Sequence, residues 1–321
     1  MQGAARVDAA QGDPSRVAVV DIGTNSTRLL VADVHDHTVA EVERRNRVTR
    51  LGRGVDLTGQ LSNEAVEGVC ETISEYVSLY DELGADRVAA IATSAVRDAS
   101  NGSAFIAELR ERFALSARVL GGEEEARLTY LGATSARSPG NSTLVVDIGG
   151  GSTELVVGSG SELAFHTSLQ AGVVRHTERH LSADPPSASE LESLAGDVLG
   201  LLEAAVAEAP EAHANQGIAV AGTPTSLAAI DLELDPYDPE RVHGHRLPLG
   251  SIQTMLSRLA SLPLSERLAL TGLHPDRAPT IVAGVVILVE VMRAFGLTEI
   301  EVSEHDILYG AAISAASPGG D

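Results

Sequence analysis

The chain has no lysine and no tryptophan, and all 23 of its basic residues are arginine, against 45 acidic residues. Without a lysine ammonium, the chain cannot be a P-loop NTPase or a protein kinase, and it cannot form a Schiff base. The net charge of −22 argues against a nucleic-acid partner, because nucleic-acid binding needs a basic surface. Arginine can still bind phosphate through two parallel hydrogen bonds, so small polyanions stay within reach.

Cysteine, aromatic residues and long apolar runs are also scarce. Cys70 is the single cysteine, which excludes an internal disulfide and a multi-cysteine metal site. The best apolar run, residues 281–289, ends at Glu290 and is too short to cross a bilayer. Residues 1–15 form a polar tail without the apolar segment of a signal peptide. These features predict a cytoplasmic protein with no membrane partner.

One stretch of the chain occurs twice. Residues 17–34 read VAVVDIGTNSTRLLVADV and residues 143–158 read TLVVDIGGGSTELVVG, and they align when Asp21 is placed on Asp147, an offset of 147 − 21 = 126. Two apolar runs around a turn of small and hydroxyl residues predict a β-hairpin. Such turns bring successive N–H groups close to an anion. One Gly-Ser hairpin would say little, but two matching copies predict a shared ligand.

The order of apolar patterns predicts the fold. In the first half, three strands precede a helix, strand, helix, strand and helix, and the second half repeats this plan. We therefore predict an α/β protein of two RNase H-like domains with an interdomain cleft that closes on its ligand. Residues 1–15 are the tail, 16–135 domain I and 136–321 domain II, with the last helix a candidate to cross back to domain I. Residues 93–98 are predicted as a turn, and residues 235–248 as a polar, turn-rich loop.

With both hairpins placed, the chain resembles the sugar kinase/Hsp70/actin superfamily, which has the actin-like ATPase fold. Within it, the chain is similar to the exopolyphosphatase/guanosine-pentaphosphatase family, in a short two-domain form. Four further segments carry this resemblance over residues 17–313. They are TSAVRDASN (93–101), GGEEEARL (121–128), AGTPTSLAA (221–229) and RAPTIVAGVVIL (277–288).

The resemblance implies roles for individual residues. Glu125 matches the family's catalytic glutamate, and Arg97 matches its phosphate-binding arginine. The two phosphate loops would be formed by Gly23, Thr24, Asn25 and Ser26 and by Gly149, Gly150, Gly151 and Ser152. The expected ligands of a catalytic Mg²⁺, with Mn²⁺ as the alternative, are Asp21, Asp147 and Glu154.

The expected reaction is hydrolysis of a terminal phosphoanhydride, which releases orthophosphate from inorganic polyphosphate. The nearest alternative is removal of the 5′-phosphate from guanosine pentaphosphate at the same site. A kinase or chaperone-type ATPase of the same fold and a non-catalytic nucleotide sensor are further alternatives. Polyphosphate or guanosine pentaphosphate is thus the expected partner, and a second copy in a homodimer is expected by resemblance.

Two polar segments and five scattered histidines have no assigned role. An arginine-rich segment near residues 44–53 is either a solvated strand face or a patch that steers the substrate. The segment ERVHGHR, residues 240–246, is either a cleft-edge loop in contact with substrate or a solvated loop. No spacing typical of metal ligands is identified among His166, His176, His180, His213 and His274.

Overall fold

The computed structural model describes residues 14–137, 140–209 and 213–317. Its strands follow the predicted hairpins closely, since the apolar runs of both hairpins become buried. The described strands are β1 Ser15–Ile22, β2 Ser26–His35, β3 Thr38–Val48, β4 Arg87–Ala92, β5 Ala117–Val119, β6 Thr143–Ile148, β7 Thr153–Ser159, β8 Glu162–Leu169, β9 Gln216–Val220, β10 Arg246–Pro248 and β11 Glu299–Val302.

Helices cover the sheets, and their starts follow ordinary capping chemistry. The Ser62 side chain accepts a hydrogen bond from the Ala65 N–H, and Ser187 with Glu190 forms a complete capping box. A 3₁₀ turn spans Pro275–Arg277. The described helices are α1 Val55–Thr58, α2 Asn63–Glu82, α3 Ser94–Asp98, α4 Gly102–Phe113, α5 Gly122–Thr134, α6 Val173–His180, α7 Ala188–Ala207, α8 Gly222–Asp231, α9 Pro239–Val242, α10 Leu249–Ser261, α11 Leu264–Arg267, α12 Ile281–Ala294 and α13 Ile307–Ala316.

The two sheets share one strand order, which confirms the predicted duplicated α/β fold. The first sheet runs β3-β2-β1-β4-β5, and the second runs β8-β7-β6-β9-β11, with β10 added at its edge. In each sheet the two hairpin strands are antiparallel. Strand β4 pairs in parallel with β1, and β9 pairs in parallel with β6. Both turns therefore lie at corresponding strand ends in the two sheets, after β1 and after β6. No described helix is long and apolar enough to cross a bilayer.

Helices α5 and α13 exchange partners between the two halves. The terminal helix α13 packs on the first sheet, where Leu308 and Ala312 join a core with Val19 and Leu30. Helix α5, which lies before the predicted boundary at residue 135, instead packs its Ala126 side on the second sheet. The two helices also contact each other closely. The halves are thus joined by crossed helices as well as by the chain.

Glycine makes this helix crossing possible, because a Cβ at Gly132 would lie 1.9 Å from the Asp306 carbonyl oxygen. We expect Gly132→Ala to lower the free energy of unfolding by about 3 kcal/mol, because the backbone of both segments resists the added methyl group. Gly200→Ala is the control, since no atom lies within 4 Å of its Cβ position in α7. It should stabilise by roughly 0.5–1 kcal/mol in the same denaturant titration. Equal effects of the two changes would contradict the close crossing.

Two local predictions are wrong. Residues 94–98, predicted as a turn, form the short helix α3, because the N–H groups of Val96 and Arg97 both bond to the Thr93 carbonyl. The segment 235–248, predicted as a loop, contains α9 and the edge strand β10. Strand β10 pairs antiparallel with β11 from Arg246 to Pro248, a long-range partnership that a polar sequence does not reveal.

Candidate functional site

The two repeated turns meet face to face. Each turn is closed by the same hydrogen bond, from Gly23 N–H to the Ser26 carbonyl and from Gly149 N–H to the Ser152 carbonyl, both at 3.0 Å. A Cβ at Gly150 would lie 2.8 Å from the Thr24 Cβ and 3.0 Å from a backbone nitrogen of the first turn. The turns are therefore in contact across the cleft, as a ligand shared between them requires.

Neighbouring segments fix the peptide planes of both turns. The Asn25 carbonyl accepts two N–H groups from residues 49–50, and the Gly150 carbonyl accepts two from the first turn of α6. In a planar trans peptide the C=O and the N–H point in opposite directions. The N–H of the same peptide unit therefore points away from the donors that bind each carbonyl. Those N–H groups belong to Ser26 and Gly151. The turns thus hold backbone donors in fixed directions before any ligand arrives.

One cavity lies between the turns and is lined by most of the predicted site residues. Arg97 and Gly151 are not in its lining: Gly151 packs on the hydroxyls of Ser94 and Thr24 instead. The predicted residues that line the cavity are Asp21, Gly23, Thr24, Asn25, Ser26, Glu125, Asp147, Gly149, Gly150, Ser152 and Glu154.

The carboxyl groups of this cavity are buried and mutually repulsive. Burial raises the pKa of Glu125 to about 7, although the Arg97 guanidinium opposes the increase. Burial and the neighbouring Asp306 carboxylate raise the pKa of Asp147 to about 7. The pKa of Glu154 is also raised by burial and by these acidic neighbours. Clustered carboxyls with raised pKa values are typical of acid–base sites and cation sites.

Arg97 lies behind Glu125 rather than in the cavity. Its Nη1 donates to Glu125 Oε2 at 2.9 Å and to the Leu120 carbonyl at 2.9 Å. The guanidinium therefore orients the carboxylate that faces the cavity. Its direct contact with phosphate, implied by the resemblance, stays a prediction.

We expect Arg97→Gln to change the pH dependence of turnover more than the apparent affinity. Loss of the guanidinium removes the cation that lowers the Glu125 pKa, so this pKa rises further. If Glu125 acts as a base, the acid limb of the kcat profile then moves to higher pH. A large increase in KM with an unshifted profile would instead favour direct phosphate binding by Arg97. The measurement is orthophosphate release between pH 5.5 and 9.

Arg28 and Asp306 belong to the site, although the sequence pattern did not single them out. Arg28 donates to Asp21 Oδ2 from Nε at 2.9 Å and from Nη2 at 2.6 Å, and its Nη1 bonds to the Asp306 carboxylate. The signal in the sequence is the repeat itself, because Arg28 occupies the position of Glu154 in the second copy. The two halves have therefore diverged in charge across one cavity.

Arg277 is a third site residue that the sequence pattern did not single out, and its guanidinium has few protein partners. It lines the cavity and is partly buried, and its one described side-chain hydrogen bond is a long one of 3.5 Å from Nη2 to Ser26 Oγ. No ion pair involving Arg277 occurs among residues 14–137, 140–209 and 213–317. Burial lowers its pKa to about 10. A partly buried cation without a carboxylate partner is suited to an anionic ligand.

The donor set fits a divalent cation in part. Asp21 Oδ1 is buried without a hydrogen-bond partner in the described part of the chain, so its lone pairs are free to bind a cation. Asp21, Asp147 and Glu154 do not, however, bring their oxygens within 4.8 Å of one another as a group. Mg²⁺ needs one or two protein carboxylates and takes its other ligands from water and phosphate. The three residues are consistent with that mode.

The other clusters lie apart from the cavity. Arg44, Arg47 and Arg50 are paired with acidic residues, at 2.9, 2.6 and 3.0 Å, which favours a structural surface over a steering patch. In the ERVHGHR segment, His243 Nδ1 accepts the Glu304 N–H and His245 pairs with Asp231. Both clusters therefore have protein partners outside the cavity lining.

Comparisons with known proteins agree with this geometry. The Ppx/GppA phosphatase family matches residues 30–314. Exopolyphosphatase 2 of Mycobacterium tuberculosis is 37% identical over 316 residues, which cover 94% of this chain and 99% of that protein. Exopolyphosphatase 1 of Mycobacterium bovis is 30% identical over 292 residues, or 89% of this chain and 84% of that protein.

Solved structures give the same result. The crystal structure of an exopolyphosphatase-like protein superposes with a TM-score of 0.89 at 34% identity, and the alignment covers 94% of this chain and 98% of that one. The Aquifex aeolicus member of the Ppx/GppA family gives a TM-score of 0.80 at 32% identity, over 94% and 97% of the two chains. With the repeated turns, the strand order and these similarities together, the chain belongs to the Ppx/GppA phosphatase family.

Proposed function

We propose that this protein is an exopolyphosphatase that removes the terminal orthophosphate from inorganic polyphosphate. Membership of a phosphatase family with exopolyphosphatase relatives makes the chain a hydrolase acting on phosphoric anhydrides. The observation that carries the proposal is the contact between the two turns, which directs both toward one cavity beside the buried carboxylate of Glu125. Such a cavity suits the end of a phosphate chain.

In the proposed reaction, the turns and Arg277 hold the terminal phosphoryl group, and Glu125 orients a water molecule. The water oxygen bonds to the terminal phosphorus as the bond from phosphorus to the bridging oxygen breaks. The water proton passes to Glu125, and the bridging oxygen leaves as the new end of the shortened chain. Positioning and charge stabilisation supply most of the catalysis in phosphoryl transfer.

Glu125 is suited to the role of base because its pKa of about 7 makes it a stronger base than an ordinary carboxylate while leaving it largely ionised above neutral pH. Arg97 keeps its carboxylate directed at the cavity. A Mg²⁺ or Mn²⁺ ion held by Asp21 Oδ1, Asp147 or Glu154 would offset the charge of the phosphate oxygens. Without a cation, these carboxylates would repel the substrate.

One assay tests the proposal: orthophosphate release with Mg²⁺ from short polyphosphate, long polyphosphate, guanosine pentaphosphate and ATP at equal concentrations. We expect the highest kcat/KM on polyphosphate. A higher value on guanosine pentaphosphate would replace the proposal by the alternative that uses the same site. Release from ATP alone would overturn both.

A further inference from the structure

A second cluster of metal-binding side chains lies on helices α6 and α7, apart from the catalytic cavity. His176 and His180 stand four residues apart and so share one face of α6, and Asp197 faces them from α7. The Asp197 Oδ2 atom lies 3.0 Å from His180 Nε2 and 3.5 Å from His176 Nε2. The ligand atoms of the three residues thus all lie within 4.8 Å of one another.

His176 is the residue that points to a ligand. Its side chain is fully buried, yet neither ring nitrogen has a hydrogen-bond partner in the described part of the chain. A buried polar group without a partner costs about 1–3 kcal/mol, so a protein rarely retains one without a reason. Burial lowers the pKa of His176 to about 4, which keeps the imidazole neutral and its lone pair available.

The surroundings match those of a metal-binding histidine site. His180 Nδ1 lies 3.1 Å from Ser193 Oγ, and such a bond to the second ring nitrogen orients a metal-binding imidazole. The Asp197 side chain is 33% exposed, which gives an ion access from solvent. Metal–ligand bonds of 2.0–2.1 Å in a tetrahedral site separate neighbouring ligand atoms by about 3.3 Å, close to the two distances above.

The Arg179 guanidinium contacts this cluster and also binds a second carboxylate, that of Asp56. Arg179 Nη1 donates to Asp197 Oδ2 at 3.2 Å, while its Nη2 donates to Asp56 Oδ1 and Oδ2 at 3.1 and 2.9 Å. An arriving ion therefore displaces one arm of Arg179 from Asp197, and the other arm stays on Asp56. The positive charge of Arg179 and of nearby Arg175 moderates the affinity for the ion.

We propose that His176, His180 and Asp197 form a binding site for a Zn²⁺-class divalent ion, with the fourth position open to water. Two imidazoles and one carboxylate favour zinc, cobalt or nickel, whereas Mg²⁺ requires oxygen ligands. The site is therefore chemically distinct from the cation site of the catalytic cavity.

Helix α6, which carries two of the three proposed ligands, also supports the second phosphate loop. The N–H groups of Val173 and Val174 bond to the carbonyls of Gly149 and Gly150 in the second phosphate loop, at 2.9 and 2.8 Å. Arg175, on the same helix, pairs with Asp56 and Asp98 of the first half. A metal that ties α6 to α7 thus braces the helix that supports the phosphate loop and contacts the other half.

The test is a Co²⁺ titration of the metal-free full-length protein, followed by the visible absorption of four-coordinate Co²⁺, with Zn²⁺ competition. We expect one Co²⁺ per chain, displaced by Zn²⁺ and unaffected by excess Mg²⁺. His180→Ala should weaken Co²⁺ binding by at least about 100-fold, and Ser193→Ala by roughly 10-fold through loss of the hydrogen bond to His180 Nδ1. Zn²⁺ should raise the melting temperature of the unmodified protein and not that of His180→Ala.

Controls separate this site from other ligands. His166→Ala removes a half-exposed histidine on β8, and Cys70→Ser removes the thiol of the other described group of potential ligands, Glu67, Cys70 and Glu108. Both should keep full Co²⁺ affinity. If His180→Ala fails to fold, Asp197→Asn serves in its place with the same expected loss. Failure of the unmodified protein to bind Co²⁺, or unchanged affinity in His180→Ala or Asp197→Asn, would overturn the proposal.

Discussion

Replacement of Glu125 by glutamine is expected to lower kcat for orthophosphate release by roughly 10²- to 10⁴-fold, the usual contribution of a general base. Glutamine keeps the shape of the side chain and an oxygen for the Arg97 hydrogen bond, but it cannot accept the proton of the attacking water. Because the cavity and both turns stay intact, binding of a labelled polyphosphate should change little. Binding and turnover are measured on the same preparation.

The matched control is Glu124→Gln, one residue earlier on α5. Glu124 is partly exposed and paired with Arg118, so its loss should leave kcat nearly unchanged. In the unmodified protein, kcat/KM should rise as the pH increases through about 7, because a base acts in its deprotonated form and burial raises the pKa of Glu125 to about that value. This increase should be absent in Glu125→Gln. Normal turnover by that variant would remove Glu125 from the mechanism.

Arg277→Met is expected to lower kcat/KM by roughly 100-fold, mainly through an increase in KM. A charge-assisted hydrogen bond to phosphate contributes about 1.5–3 kcal/mol. The partly buried Arg277 guanidinium has one long hydrogen bond to the protein and no described carboxylate partner. Stability should move in the opposite direction. Because methionine removes a partly desolvated charge at similar side-chain length, the free energy of unfolding should stay equal or rise.

The opposite effects expected on activity and on stability distinguish a ligand-binding role of Arg277 from a structural one. A structural arginine would lose stability and activity together, whereas a residue kept for its ligand loses activity alone. Arg246→Met is the control, since this exposed arginine pairs with Glu299 outside the cavity. It should change neither quantity appreciably. An unchanged KM in Arg277→Met would contradict the phosphate role.

The repeat carries most of the information about the fold that the sequence contains. Strand pairs such as β1–β2 and β6–β7 are local, so their apolar runs and turns predict them directly. The exchange of α5 and α13 between the sheets is a long-range arrangement, and the sequence shows only that α13 was a candidate to cross. The short helix α3 escaped prediction because five residues are too few for a helical pattern.

The site shows the same division between local and distant information. Asp21, Ser26 and Asp147 are visible because they recur at matching positions, whereas Arg277 enters the cavity from a segment about 250 residues away from the first turn. The four-residue separation of His176 and His180 is visible in the sequence, but on its own it did not identify them as metal ligands. The third ligand is Asp197, which α7 places beside both rings. This tertiary contact cannot be predicted from a local sequence pattern.

The convergence of both turns on one phosphate is tested most directly by a crystal structure of Glu125→Gln soaked with tripolyphosphate and Mg²⁺. We expect a terminal phosphoryl group between the turns, within hydrogen-bond distance of backbone N–H groups from both 23–26 and 149–152 and of the Arg277 guanidinium. Tripolyphosphate bound to one turn alone, or bound outside this cavity, would contradict it.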